Sequence, residues 1–223
     1  MRSSSARPTR SSLRLLLAAL ALALSAADGD ADAGKTLDSV QKRYDSVRDL
    51  RASFTQQSFA AALGKETEAR GAVTVKRPGK MRWEYAQPDG RVIVLDEKAI
   101  RIWNPEDKQL QIAPLSGANV SPTALGFLMG QGVLRDTFTA ELIAAPDRPE
   151  RGVRLRPKSD ASFESLELWV DPKTFQLRES VVVDLFGNRT RVRFEGIVEN
   201  EGVAASAFEL EAPAGAEVLD LRR

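Results

Sequence analysis

Gly71-Ala72-Val73-Thr74-Val75-Lys76-Arg77-Pro78-Gly79-Lys80-Met81-Arg82-Trp83-Glu84-Tyr85 is the stretch on which the fold class turns. Val73 and Val75 alternate with Thr74 and Lys76 up to Pro78-Gly79, a turn dipeptide. Beyond it Met81, Trp83 and Tyr85 alternate with Arg82 and Glu84. A period of two on both sides of a tight turn describes a β-hairpin with one apolar and one polar face.

The same period recurs outward in both directions. A strand-like stretch begins at Phe54, and others follow at Arg91–Leu95, Ala99–Trp103 and Gln109–Ala113. They are separated by Gln87-Pro88-Asp89-Gly90, Asp96-Glu97-Lys98 and Asn104-Pro105-Glu106-Asp107, of which Asp89-Gly90 is a strong tight-turn signal. Thr137–Ala144, Gly152–Pro157, Phe163–Val170, Phe175–Asp184 and Arg189–Glu199 alternate again, with Asp171-Pro172-Lys173-Thr174 and Gly187-Asn188 as turns. Ala207–Leu210 offers one further edge strand.

Two segments break the alternation. Within Lys35–Asp49, Leu37, Val40, Tyr44 and Val47 recur at three and four residues, the spacing of a helix that buries one face. Ser121-Pro122-Thr123 is a cap followed by a first-turn proline, and it opens a short helix reaching Val133 with Leu125, Phe127, Leu128 and Met129 apolar. The fold class is therefore mainly β with helices (α+β), one antiparallel sheet of about eleven strands. A sheet that wide curls into a barrel or half-barrel, or splits into a sandwich. Its apolar faces line one concave surface, which the two helices cover. Side chains that fill the concavity make an ordinary core; side chains that leave room make a lipophilic cavity under a lid.

Composition removes several chemistries. Among 223 residues there is no histidine and no cysteine, which excludes catalytic triads, thiol nucleophiles, imidazole or thiolate zinc sites and disulfides. No nucleotide motif is present, and no cofactor is expected. The balance of 32 Lys+Arg against 31 Asp+Glu conceals an uneven start. Arg2, Arg7, Arg10 and Arg14 precede an apolar run from Leu15 to Leu24, then Ser25-Ala26-Ala27 and the acidic Asp28, Asp30 and Asp32. This is the layout of a secretory signal peptide, and the run is shorter than the roughly 20 residues a bilayer requires. Cleavage near Ala27 removes four of the 32 basic residues and no acid, leaving 28 against 31, so nucleic-acid binding loses its electrostatic basis. The expected organisation is a signal peptide over 1–27, a flexible leader over 28–34 and a single domain over 35–223, exported from the cytoplasm.

Several segments together resemble the LolA-like outer-membrane lipoprotein carrier proteins. They are Leu50-Arg51-Ala52-Ser53-Phe54-Thr55-Gln56, the hairpin from Gly71 to Trp83, Trp103-Asn104-Pro105, Leu168-Trp169-Val170-Asp171-Pro172 and Gly187-Asn188-Arg189-Thr190, in that order. The resemblance runs from about Lys35 to the C-terminus. It implies a periplasmic, monomeric, non-enzymatic carrier with an unclosed β-barrel and a helical lid. Such a carrier takes acylated lipoproteins from an inner-membrane ABC exporter and passes them to an outer-membrane receptor lipoprotein. A lipid-binding envelope-stress sensor on the same half-barrel is the alternative of another class, and an enzyme acting on an amphiphile in the cavity is a third.

The resemblance also assigns site residues. Phe54, Val73, Val75, Met81, Trp83 and Tyr85 are expected to line the acyl-chain cavity, with Leu125, Phe127, Leu128 and Met129 beneath the lid. Arg77 resembles the family's lid latch, and its planar five-donor fork suits backbone carbonyls of the covering helices. Parity places Arg77 on the strand face of Val73 and Val75. On periodicity alone the Met81, Trp83, Tyr85 row reads as plain core before it reads as a cavity lining, Arg77 reads as a solvated residue beside a turn, and the helix of Leu125, Phe127, Leu128 and Met129 reads equally as one permanently packed on the sheet. Met81 departs from the bulky aromatic associated with its position. Glu66/Glu68 and Glu164/Glu167 read as surface acids, and Asn188-Arg189-Thr190 as a hairpin turn rather than a glycosylation site.

Overall fold

A computed structural model describes residues 32–115 and 132–222. The expected signal peptide, most of the leader and Leu125, Phe127, Leu128 and Met129 lie outside the described residues. Where the sequence alternates, the backbone is extended. The strands are β1 (Asp49–Ala60), β2 (Lys65–Lys76), β3 (Lys80–Gln87), β4 (Val92–Leu95), β5 (Ala99–Asn104) and β6 (Gln109–Pro114). After the break come β7 (Phe138–Ile143), β8 (Arg151–Pro157), β9 (Phe163–Val170), β10 (Leu177–Asp184), β11 (Arg189–Glu199) and β12 (Glu217–Asp220). Helix α1 spans 32–46 and the short α2 spans Leu134–Thr137. α1 thus already includes 32–34 and stops before Asp49, where Val47 and Arg48 lead into β1.

The twelve strands form one sheet in the order β12-β6-β5-β4-β3-β2-β1-β11-β10-β9-β8-β7. Two meanders, β1 to β6 and β7 to β11, are joined by the antiparallel pairing of β1 with β11, which sets Phe54 opposite Phe194. The terminal strands β12 and β7 are not neighbours, so the barrel stays unclosed. Curvature is built in at Gly71, where the β2–β3 register shifts. A Cβ at Gly71 would collide with the Glu84 carbonyl and with the Phe54 ring, so only glycine lets the strands approach there.

The end of the chain differs from expectation. Ala207–Leu210 is not an edge strand: Ala205–Phe208 forms a 3-10 turn whose Phe208 packs with Val203 on Val94. That contact covers the outer face of the sheet, where Arg82 Nη1 also donates to the Glu209 carbonyl at 3.2 Å. The twelfth strand lies further on, and Glu217–Asp220 runs parallel to Gln109–Ile112 of β6. A parallel partner needs a long crossover, and the segment after β11 supplies it. The sheet is therefore antiparallel except at this edge.

On the inner face, Leu37 and Val40 of α1 pack with Leu134, Phe138, Val153, Leu155, Phe163, Leu166, Leu168 and Val170. A second cluster on that face joins Ala52, Phe54, Val73, Val75, Met81, Tyr85, Leu95, Ile100 and Val192.

Candidate functional site

Between the C-terminal half of α1 and the concave face lies an apolar cavity of about 100 Å³. Val40, Tyr44 and Val47 of α1 roof it. Leu50, Ala52, Val73, Val75, Met81 and Trp83 form its floor, and Leu168, Phe175, Leu177, Phe194 and Ile197 its far wall. Arg43, Arg48, Asp49, Arg77, Gln176 and Glu199 also line it. Apolar walls with a few polar groups characterise sites for apolar ligands.

The structure divides the expected lining residues. Val73, Val75, Met81 and Trp83 meet at the cavity, and Arg77 joins them as strand parity predicts. Phe54 and Tyr85 share the apolar face and are buried, but they lie beyond the cavity wall. The Phe54 ring meets Trp83 edge-on at 4.9 Å and Tyr85 at 5.2 Å, so the two buttress the Trp83 floor. The Tyr85 hydroxyl donates to Gln56 Oε1 at 3.1 Å. Burial raises the Tyr85 pKa, Arg91 over its ring works against that, and Asp89 adds to it.

Arg77 reaches α1, though through a ring rather than through the carbonyls its fork suggested. Its guanidinium carbon stands 3.3 Å from the centroid of the Tyr44 ring, a stacked cation–π contact. Its own backbone N–H donates to the Arg48 carbonyl at 2.8 Å, tying the end of β2 to the segment after α1. Burial pulls the Arg77 pKa below its ordinary value, while Tyr44 and Asp45 act in the opposite sense.

Polar contacts hold both ends of α1. Near its C-terminal end Arg43 pairs with Glu199, which also accepts from Gln176 Nε2 at 3.1 Å. Asn200 accepts from the Arg48 N–H at 2.7 Å and donates to the Ser46 carbonyl at 3.2 Å. Near the N-terminal end Arg135 forks onto Asp38, the Leu134 N–H donates to Gln41 Oε1 at 2.9 Å, and Arg151 donates to Thr36 Oγ1 at 3.2 Å. The helix is a cover fastened at its corners.

Several cavity residues were not foreseen. Tyr44 and Val47 carried a signal, since their helical spacing already marked the buried face of α1. Phe175 did not. It reads as the first residue of a strand, yet it sits in the turn before β10 with φ 57°, in the left-handed region. Asp171 builds that turn by accepting from the Lys173 and Thr174 N–H groups at 3.0 and 2.9 Å. Those hydrogen bonds, that from Thr174 foremost, hold the Asp171 carboxyl below its usual pKa.

Among the described residues no group of His, Cys, Asp or Glu could hold a metal ion. Glu66 and Glu68 are exposed on β2, while Glu164 and Glu167 form ion pairs with Arg156 and Arg154. Asn188 works inside its turn, donating to Asp184 Oδ2 at 2.7 Å.

Residues 45–211 match the family model described as outer membrane lipoprotein carrier protein LolA. The chain belongs to this family. An outer-membrane lipoprotein carrier protein of Dechloromonas aromatica is 32% identical over 191 residues, covering 85% of this chain and 89% of that one. Another from Pseudomonas entomophila is 29% identical over 206 residues, covering 92% and 96%. An uncharacterised conserved protein from Thermus thermophilus has the same fold, with a TM-score of 0.54 at 16% identity over 85% of this chain and 99% of that one. The family is one of non-enzymatic periplasmic carriers.

Proposed function

We propose that this chain takes up the acyl chains of lipoproteins released from the inner membrane, shields them beneath α1 and delivers them to the outer membrane. The apolar cavity roofed by α1 carries this reading, and membership of the carrier family supports it. Acyl chains bury at about 0.8 kcal/mol per methylene, so a multiply acylated lipoprotein in water needs a soluble host. Pockets that bury drug-sized ligands run to roughly 300–1,000 Å³, so the cavity as it stands must widen to admit its cargo. Widening means lifting Val40, Tyr44 and Val47 off the floor, and that separates the Tyr44 ring from Arg77.

Arg77 is then a latch that favours the closed, empty cavity. A desolvated cation–π contact is worth about 2 kcal/mol, enough to shift the loaded and empty states by more than tenfold without preventing uptake. Val73, Val75, Met81 and Trp83 would contact the cargo, and Leu125, Phe127, Leu128 and Met129 belong to the same proposed lid. The reading includes cleavage of the apolar N-terminal segment near Ala27, an ABC exporter in the inner membrane as donor and an outer-membrane receptor lipoprotein as acceptor. Inner-membrane vesicles charged with an acylated lipoprotein provide the test. Adding this protein and ATP should bring the lipoprotein into the soluble fraction in complex with it; no soluble complex would refute the reading.

A further inference from the structure

We propose that the adjoining tips of the β1–β2 and β10–β11 hairpins form a second site, which seats in the interfacial layer of a phospholipid bilayer. The tips carry the most exposed large apolar residues of the sheet. Phe186 is 85% exposed, Leu63 77% and Leu185 64%, with Phe59 at 37% beside them and only alanine at 60, 61 and 62. An apolar cluster this open costs solubility unless something covers it.

The two turns are built to hold these side chains out rather than fold them in. Asp184 Oδ1 accepts from the Phe186 and Asn188 N–H groups at 2.8 and 2.9 Å, and the Gly187 N–H donates to the Asp184 carbonyl at 3.1 Å. Asn188 Oδ1 then crosses to the neighbouring hairpin and accepts from the Ala61 N–H at 2.9 Å. One asparagine therefore locks Phe186 and Leu63 into a single projection. Much of the turn backbone is satisfied internally, as a hydrocarbon environment demands and water does not.

A bilayer fits this shape better than a protein groove does. The tip presents an aromatic ring and two leucines to solvent in the turns themselves, and has Lys65 and Arg189 where the turns join their strands, at headgroup depth. Glu66, paired across Phe59, stands one step further from the apex than Lys65. The site is remote from the cavity. Leu50 lines the cavity and Phe59 flanks the tip, nine residues along β1, which at about 3.3 Å per residue is roughly 30 Å. Contact there would hold the molecule on a membrane while the far end remains free for cargo, and it does not depend on the cavity reading.

The test is flotation of the exported protein with vesicles of phosphatidylethanolamine and phosphatidylglycerol, and with phosphatidylcholine vesicles alone. The wild type should float with both. L63S/L185S/F186S should lose at least about tenfold in bound fraction, since each side chain removed forfeits an apolar burial worth about that factor. Melting temperature and uptake of a hydrophobic dye into the cavity should stay unchanged. F186S alone, altering one open side chain, should show a smaller loss in the same direction. In F186W the added indole should shift to the blue on vesicles and be quenched by brominated acyl chains. Equal flotation of wild type and triple variant overturns the proposal, as does a wild type that does not float. So does a wild type that self-associates through the tip without lipid while the variant stays monomeric.

Discussion

The two apolar clusters on the concave face come from the same strand alternation and end differently. Under the first half of α1, Leu37 descends among Val153, Leu155 and Leu166, each at most 4% exposed, Leu134 closes the gap from α2, and Val40 and Leu168 mark the border, packed in this cluster and lining the cavity as well. Under the second half, Tyr44 and Val47 meet Val73, Val75, Met81 and Trp83 across open space. The first region is a solid interior; the second is a hollow with the same chemistry. What separates them is the roof. Leu37 is sealed among aliphatic side chains in one half, whereas in the other the roofing ring of Tyr44, between Val40 and Val47, has its face taken by Arg77. A helix of one periodicity can thus serve as an anchor at one end and a cover at the other.

That contrast can be broken by substitution, most forcefully in the solid half. Leu155→Ala, at a site with no exposure, should cost about 2–5 kcal/mol of unfolding free energy in urea titration. It should leave lipoprotein uptake by the folded fraction near normal. Trp83→Glu should do the reverse: it places a charge on the cavity floor at a half-buried position, so uptake should fall by tenfold or more while thermal stability changes less. If both variants behave alike, the two halves are not distinct in kind.

The latch sharpens the comparison at a smaller scale. Arg77→Leu should still take up lipoprotein but deliver it poorly to receptor-bearing vesicles, because the empty, closed state loses its favourable stack. Tyr44→Leu should act the same way. The double variant should show a coupling of about 1–2 kcal/mol in the load and release equilibrium. Independent effects would mean that the stack does not set that equilibrium. The smallest effect is expected at Phe175, on the far wall. Phe175→Gly relieves the left-handed backbone and Phe175→Ala does not, so the glycine variant should melt higher by the equivalent of about 1 kcal/mol. The opposite order would show that the turn imposes no strain.

Most of the sheet was legible because alternation survives wherever one face is buried. Phe163–Val170 and Arg189–Glu199 match their strands at both ends. β12 was not legible: Val218 and Leu219 are both exposed, so no buried face stamps a period on that segment, and its pairing depends on a crossover no local pattern records. Phe208, in contrast, looked strand-like since it is buried, but its burial is against the outside of the sheet. At the site, parity correctly aimed Val73, Val75 and Arg77 inward. It could not tell Trp83, at the hollow, from Tyr85, two residues on and behind it, because both face the same way. Nor does any local pattern disclose that Phe175 turns left-handed.

The pairing of Phe54 with Phe194 places the middle of the sheet at the two extremes of the folding region. A chain emerging from its N-terminal end has β1 to β6 early, as a ladder of local hairpins, but one flank of β1 stays bare until β11 arrives. During that interval the nascent ladder presents an unpaired edge to its neighbours, a route to aggregation that slow, non-local closure prolongs. Completion by a late strand makes this molecule a natural client of holding factors before it can become a host for others.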